Sequence, residues 1–392
     1  MNVVENKMFE SSKYYKTSLF ILLLLIAFSV DTSAQMVMKD KYPMMPDKPV
    51  KNVIIFIGDG MGSAQVTVTR YNTFGPEYRL EIEKMPVIGL VNTYSADDYV
   101  TDSAAGATAM ATGHKTKNGM DGMTPDSLPK ETIFEAALRE KKMSTGLVCT
   151  SSITDATPAC FVVHVPYRHM DDEIADQIIN SNTKIIMGGG RKYFRPVGTD
   201  DGSRKDNRNL IDSAKVMGYS FVTDSASLAS APDGKILGLF SPDGMTTRSP
   251  EPALADMTKK ALKILSKDDN GFILMVEGSQ IDWGGHTNNL DYVIRQTLLF
   301  DDAVKEGLKF AQDDGSTLVI VTADHETGGI ALTSKDRKSD KSFGVKWATD
   351  GHTGIPVPIY AFGPHAIQFT GMMENTDIPK IIASLLNLGF LN

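Results

Sequence analysis

The sequence predicts an α/β fold, a three-layer sandwich with a mostly parallel central sheet. Three observations lead there. Six apolar runs have the length and β-branched content of buried parallel strands. Amphipathic helical stretches alternate with them. Four of the runs are followed closely by acidic or histidine residues, and open α/β sheets bind ligands outside the carboxyl ends of their strands.

Taken in chain order, the strands are NVIIFIGDG (52–60), STGLVCTSS (144–152), TKIIMGGG (183–190), GFILMVEGS (271–279), STLVIVTADH (316–325) and VPIYAFGP (357–364). The helices are ETIFEAALREKK (131–142), PALADMTKKALKILSK (252–267) and LDYVIRQTLLFDDAVKEGLKFAQ (290–312). The small-residue run YVTDSAAGATAMATG (99–113) also reads as a helix. Its Ser103 is either the cap of that helix or a nucleophile at its N-terminus, where backbone N–H groups favour an anion. Residues 191–250, rich in Gly, Asp, Ser and Arg, and residues 334–349 read as insertions, surface loops or a small subdomain. No internal repeat and no domain boundary is evident.

Ahead of the first strand, Lys13 and Lys16 precede the apolar run LFILLLLIAFSV (19–30), and TSA (32–34) supplies small residues. Residues 1–34 thus read as an export signal, with the mature chain, residues 35–392, starting near Gln35. The run is short for a comfortable membrane span. A periplasmic or secreted protein with no membrane association after cleavage is expected.

At 392 residues, 42% hydrophobic and 22% charged, the chain has the composition of a folded protein with a large core. A net charge of −8 argues against a nucleic-acid partner. The only cysteines, Cys149 and Cys160, lack metal-ligand spacing. They could pair after export, although buried free thiols suit a large core better.

The strand ends carry the chemistry. Asp59, Asp155, Glu277 with Asp282, and Asp324 with His325 would converge at one edge. Asp282 and His286 lie in MVEGSQIDWGGH, His325 in TADHETGG and His352 in DGHTG. Aspartate with histidine suits zinc, and carboxylate oxygens suit magnesium. His114, His164, His169 and His365 lie outside these three motifs and read as structural or surface residues.

With these motifs the chain resembles the alkaline phosphatase family. NVIIFIGDGMG, VTDSAAGATAMATG, DATPACFVVHVPYR, MVEGSQIDWGGH, TADHETGG and DGHTG occur in the family's order across residues 52–354. The resemblance implies that Ser103 is the nucleophile, phosphorylated during turnover. It implies a first zinc on Asp59, Asp324 and His325, and a second on Asp282, His286 and His352. Magnesium would take Asp59, Thr157 and Glu277, with Asp155 holding magnesium-bound water. Arg168 would clamp two phosphate oxygens, a task suited to a planar guanidinium. Two metals about 4 Å apart stabilise both the entering and the departing oxygen of an in-line displacement. The implied reaction is broad hydrolysis of phosphate monoesters at alkaline pH, and the implied assembly is a homodimer.

Trp283 stands where some members carry Lys and others His. A tryptophan lining the site supplies no charge to phosphate and no pair for Asp155, so weaker product phosphate binding is expected. The short segment between His325 and His352 suggests an open entrance. A sulfatase is excluded, because its nucleophile sits in Cys/Ser-x-Pro-x-Arg and Ser103 is followed by Ala-Ala-Gly. A phosphodiesterase of the same superfamily is disfavoured by Arg168, Thr157 and Glu277. An inactive exported phosphate- or metal-binding protein would lack a catalytic group, and none is missing.

Overall fold

Ten strands form one sheet at the centre of the computed structural model, which describes residues 41–334 and 343–389. The export-signal reading of residues 1–34 falls outside the described residues, as does the middle of the 334–349 segment. In chain order the strands are β1 (Asn52–Gly58), β2 (Val87–Asn92), β3 (Ser144–Ser152), β4 (Ile185–Gly189), β5 (Tyr219–Val222), β6 (Lys235–Leu239), β7 (Phe272–Gly278) and β8 (Thr317–Thr322). Two short strands follow, β9 (Glu326–Thr327) and β10 (Ile330–Ser334), then β11 (Phe343–Trp347), β12 (His352–Thr353), β13 (Val357–Phe362) and β14 (Gly371–Glu374). The sheet order is β14-β2-β13-β8-β1-β7-β3-β4-β6-β5. Within this sheet, among the described strands, only β13 runs against both its neighbours. The remaining strands form two small antiparallel pairs, β10 with β11 and β12 with β9.

The helices are α1 (Ser63–Thr73), α2 (Ser103–Thr112), α3 (Ile133–Lys141), α4 (Ala156–Ala159), α5 (Asp171–Asn180), α6 (Leu210–Val216), α7 (Ser225–Ser230), α8 (Leu254–Leu265), α9 (Gln280–His286), α10 (Leu290–Asp314) and α11 (Asp377–Leu386). One layer is built on α8 and α10, which pack on each other and on β3, β7 and β8. The other is built on α2, α3, α4 and α11. Covered on both faces, β1, β7 and β8 are buried at every residue, which is why they read as unbroken apolar runs rather than alternating ones.

The structure corrects one sequence-based expectation. Residues 191–250 are not wholly an insertion, because β5 and β6 extend the central sheet in parallel. These edge strands, YSFV and KILGL, are four and five residues long. At that length their apolar residues do not stand out from the polar segments around them. Cys149 and Cys160 are both buried and unpaired.

Candidate active site

The four central strands β8, β1, β7 and β3 are neighbours and parallel, so their carboxyl ends open at one edge. Asp59 follows β1 by one residue, Glu277 is the second-last residue of β7, Asp324 follows β8, and Asp155 follows β3. Asp155 caps α4, accepting from Ala156 N at 2.8 Å, and thereby places Thr157 one residue inside that helix.

At the start of α2 the capping reading of its serine gives way. Asp102 is the cap, accepting from Ala105 N at 2.9 Å, while Ser103 is the first helical residue. The serine hydroxyl is thus left over. Its Oγ lies 3.2 Å from His325 Nε2. The other oxygen of Asp102 accepts from Gly119 N at 2.9 Å and from Arg168 Nη1 at 3.2 Å. Arg168 Nη2 donates to Asp155 at 3.0 Å. The guanidinium is therefore held between two carboxylates beside the helix terminus that bears Ser103.

Three imidazoles turn the same edge inward. His325 Nε2 lies 3.4 Å from both Asp59 Oδ1 and Asp324 Oδ2. His286 Nε2 and His352 Nε2 face each other at 3.2 Å, and lie 3.3 and 3.6 Å from the two oxygens of Asp282. Every outer nitrogen is tied back: His286 Nδ1 to Asp350 O at 2.6 Å, His352 Nδ1 to Thr101 O at 2.9 Å, and His325 Nδ1 to Thr327 Oγ1 at 3.2 Å. Anchoring one ring nitrogen fixes the orientation of the other, the usual arrangement around a metal.

Two donor clusters could each hold a cation: Asp59, Asp324 and His325, and Asp282, His325 and His352. A third group lies beside them. Thr157 Oγ1 neighbours the Glu277 carboxylate, which Ser279 Oγ contacts at 2.7 Å. Buried Asp59 Oδ1, Asp324 Oδ2 and Thr157 Oγ1 have no hydrogen-bond partner of good geometry. Buried polar atoms are rarely left so, and a cation answers each of them. Burial, then the charges of Asp324 and Asp282, push Asp59 well above the usual carboxylate range. Burial and Asp155 do the same to Glu277, and burial with Asp282 raises Asp324 to about 7. Burial and the charge of His352 push His325 well down. Burial opposes ionisation of Asp282, yet hydrogen bonding from His286 and the charge of His325 hold it at about 2. The same bond raises His286 to about 9. Acids held protonated against each other are what neighbouring cations would relieve.

The site residues singled out from sequence lie at this edge, and Trp283, half-buried on α9, rests its ring on Gly244. Two contributors were not singled out. Thr327 Oγ1 donates to Asp282 Oδ1 at 2.5 Å, linking the two histidine-bearing segments. Asp102, which caps α2 and accepts from Arg168, is the other. The threonine directly after "ADHE" is the one sequence signal that pointed to the first.

The family model described as alkaline phosphatase matches residues 50–344 and 330–388. Alkaline phosphatase 3 of Bacillus subtilis is 35% identical, over 86% of this chain and 89% of its own. The chain belongs to the alkaline phosphatase family. A second family member, alkaline phosphatase of Escherichia coli, is 33% identical over 88% of each chain. The alkaline phosphatase of the Antarctic bacterium TAB5 superposes with a TM-score of 0.80 at 38% identity, covering 87% of this chain and 99% of that one. A mutant of that enzyme is described with magnesium bound in its M3 site.

Proposed function

We propose that the chain hydrolyses phosphate monoesters of broad structure at alkaline pH through a phosphoserine intermediate on Ser103. The observation that carries this reading is the Ser103 hydroxyl, not taken up in capping α2 and 3.2 Å from a histidine shared by two clusters that could each hold a cation. Asp59, Asp324 and His325 would hold one zinc, and Asp282, His286 and His352 a second. Asp59, Thr157 and Glu277 would hold magnesium, with Asp155 orienting its water. When bound, the cations lower the pKa of the attacking hydroxyl and neutralise charge on the entering and departing oxygens.

The chain's own groups do the rest. Arg168, fixed by Asp102 and Asp155, offers its guanidinium fork to two phosphate oxygens. The N–H groups at the start of α2 face the same anion. Ser103 Oγ forms the new bond to phosphorus as the bond from phosphorus to the alcohol oxygen breaks, and the serine proton passes to the departing alcohol. Water then attacks that phosphorus, the Oγ–P bond breaks, and a proton from that water returns to Ser103 Oγ. Two inversions give net retention at phosphorus.

Residues 35–392 are read as one exported catalytic domain, acting as a homodimer in the periplasm or outside the cell. Among the described residues no helix is long and apolar enough to cross a membrane.

The test is turnover of a chromogenic phosphate monoester by the mature chain, beside Ser103→Ala, a chelated sample and a phosphodiester. Expected is monoesterase activity that zinc restores after chelation and that falls about 10³-fold or more in the variant. Diester turnover exceeding monoester turnover would move the enzyme to a neighbouring branch. Metal binding without turnover of either would leave a binding protein.

A further inference from the structure

Beside His325 lies a carboxylate that no cation cluster uses. Glu326 is 4% exposed, and neutral donors surround it. Its Oε1 accepts from Gln65 Nε2 at 2.7 Å, Gly329 N at 3.0 Å and Ile330 N at 3.4 Å. Its Oε2 accepts from Thr353 Oγ1 and from Gly329 N at 3.2 Å. These donors come from three separate segments. Gln65 lies on α1, just beyond the Asp59 turn, and also donates to Thr327 O at 2.8 Å. Thr353 adjoins His352. Gly329 and Ile330 close the loop that carries His325 and Thr327. The side-chain stem packs on the entry to α1, where a Cβ on Gly62 would lie 2.5 Å from Glu326 Cγ.

The pairing of β12 with β9 explains why this matters. That ladder sets His352 opposite Thr327 and Thr353 opposite Glu326, and it is only two residues long. Two residues of strand hold poorly by themselves. Apart from the ladder, the ring of His352 is aimed by its bond to Thr101 O. The Thr353 hydroxyl, donating to Glu326, is a further restraint on that segment, beside the bond from Gly328 N to Gly351 O.

We propose that Glu326 is a positioning residue, whose buried carboxylate clamps the His352 strand and the Asp59 turn onto the His325 segment and so sets the Asp282–His286–His352 cluster. The proposal rests on the metalloenzyme reading above. With both oxygens occupied by N–H and O–H donors, Glu326 is not itself a ligand. A glutamine in its place would turn an NH₂ group toward at least one of those donors.

The experiment uses the mature chain, zinc-loaded for retention and metal-free for cobalt loading. Zinc retention is measured by chelator competition, and cobalt loading by its visible spectrum, for wild type, Glu326→Gln, Thr353→Val and Thr353→Ser. Loss of an outer partner weakens metal binding about 10- to 100-fold. That loss is expected for one ion per chain in Glu326→Gln and Thr353→Val, with an altered cobalt spectrum and an unchanged unfolding midpoint of the metal-free chain. Thr353→Ser should behave as wild type, because it keeps the hydroxyl. Equal weakening of every ion together with a lower metal-free midpoint would reduce Glu326 to a general packing role and overturn the proposal. So would wild-type retention in Thr353→Val, a variant that stays informative if Glu326→Gln does not fold. A wild-type chain that binds no zinc would overturn the metalloenzyme reading itself, and this proposal with it.

Discussion

Several buried hydroxyls in this chain are spent on their own helices. Thr69, Thr112, Thr258 and Thr297 each donate to the carbonyl four residues back. Ser103 is not, because Asp102 takes the capping role and leaves Oγ facing His325. Arg168 is the matching case among the cations, since its two carboxylate partners fix the plane of the fork. Arg168→Ala should lower kcat/KM about 100-fold, as expected for removal of a charge-stabilising donor, and weaken phosphate inhibition. An unchanged inhibition constant would remove Arg168 from the phosphate site. Trp283 bears on the same constant. Its ring rests on Gly244, so a lysine there would have a free stem and a charge. Trp283→Lys should tighten phosphate inhibition, and an unaltered constant would refute the role given to this position. At this scale the sequence was most legible where a charged or hydroxyl side chain follows an apolar run. It was least legible where the partner is a backbone carbonyl, as with Thr101 O and Asp350 O, because a carbonyl leaves no trace in residue identity. Long-range side-chain partners such as Gln65 and Thr353 were hidden for another reason: only the fold brings them to Glu326.

The small residues of α2 have a packing reason. A Cβ on Gly106 would sit 3.0 Å from Asp324 O and 3.2 Å from Asp324 Cβ. The helix therefore approaches β8 as closely as backbone allows, and brings Ser103 to His325. Gly106→Val should destabilise the protein by about 1–3 kcal/mol through overpacking and reduce turnover more than its stability loss explains. The check is an unfolding midpoint alongside kcat at a temperature where the variant is folded; full activity would mean that α2 need not sit so close. Interior elements such as β3 and α10 were legible because their neighbours bury them and leave a long periodic or apolar signature. Edge elements were not. β2 is only six residues, VIGLVN, and its burial alternates with Ile88 and Leu90 exposed while its sequence stays apolar, so residue type does not report which face is covered. β14 is four residues with two exposed.

Beyond the active edge, the molecule carries two further buried carboxylates that couple folding to pH. Burial raises Asp121 to about 7 against the opposing effects of Cys160 and Arg168. Burial also raises Asp301 to about 7, even though it accepts from Ile82 N and Glu81 N at 2.9 and 3.0 Å. An unfolded aspartate titrates near 4, so between about pH 4 and about pH 7 the folded chain holds more protons than the unfolded one. Stability then falls as pH rises through that window, by up to about 1.4 kcal/mol per pH unit for each group, and levels off above it. The two positions should separate on mutation. Asp121 Oδ2 has no partner, and Oδ1 meets only the Cys160 thiol. Asp121→Asn removes the charge at little cost in bonding, so relative to wild type it should gain stability from pH 5 to pH 8, on the order of 2 kcal/mol. Asp301→Asn gives up one of the two side-chain oxygens that accept from backbone N–H groups and should lose stability at pH 5, where the wild-type carboxyl is already largely neutral. Urea unfolding of the metal-free chain at both pH values measures these differences without metal release intruding. A pH-independent difference for Asp121→Asn would mean that this carboxyl titrates alike in the folded and unfolded chain, and that its burial carries no proton linkage.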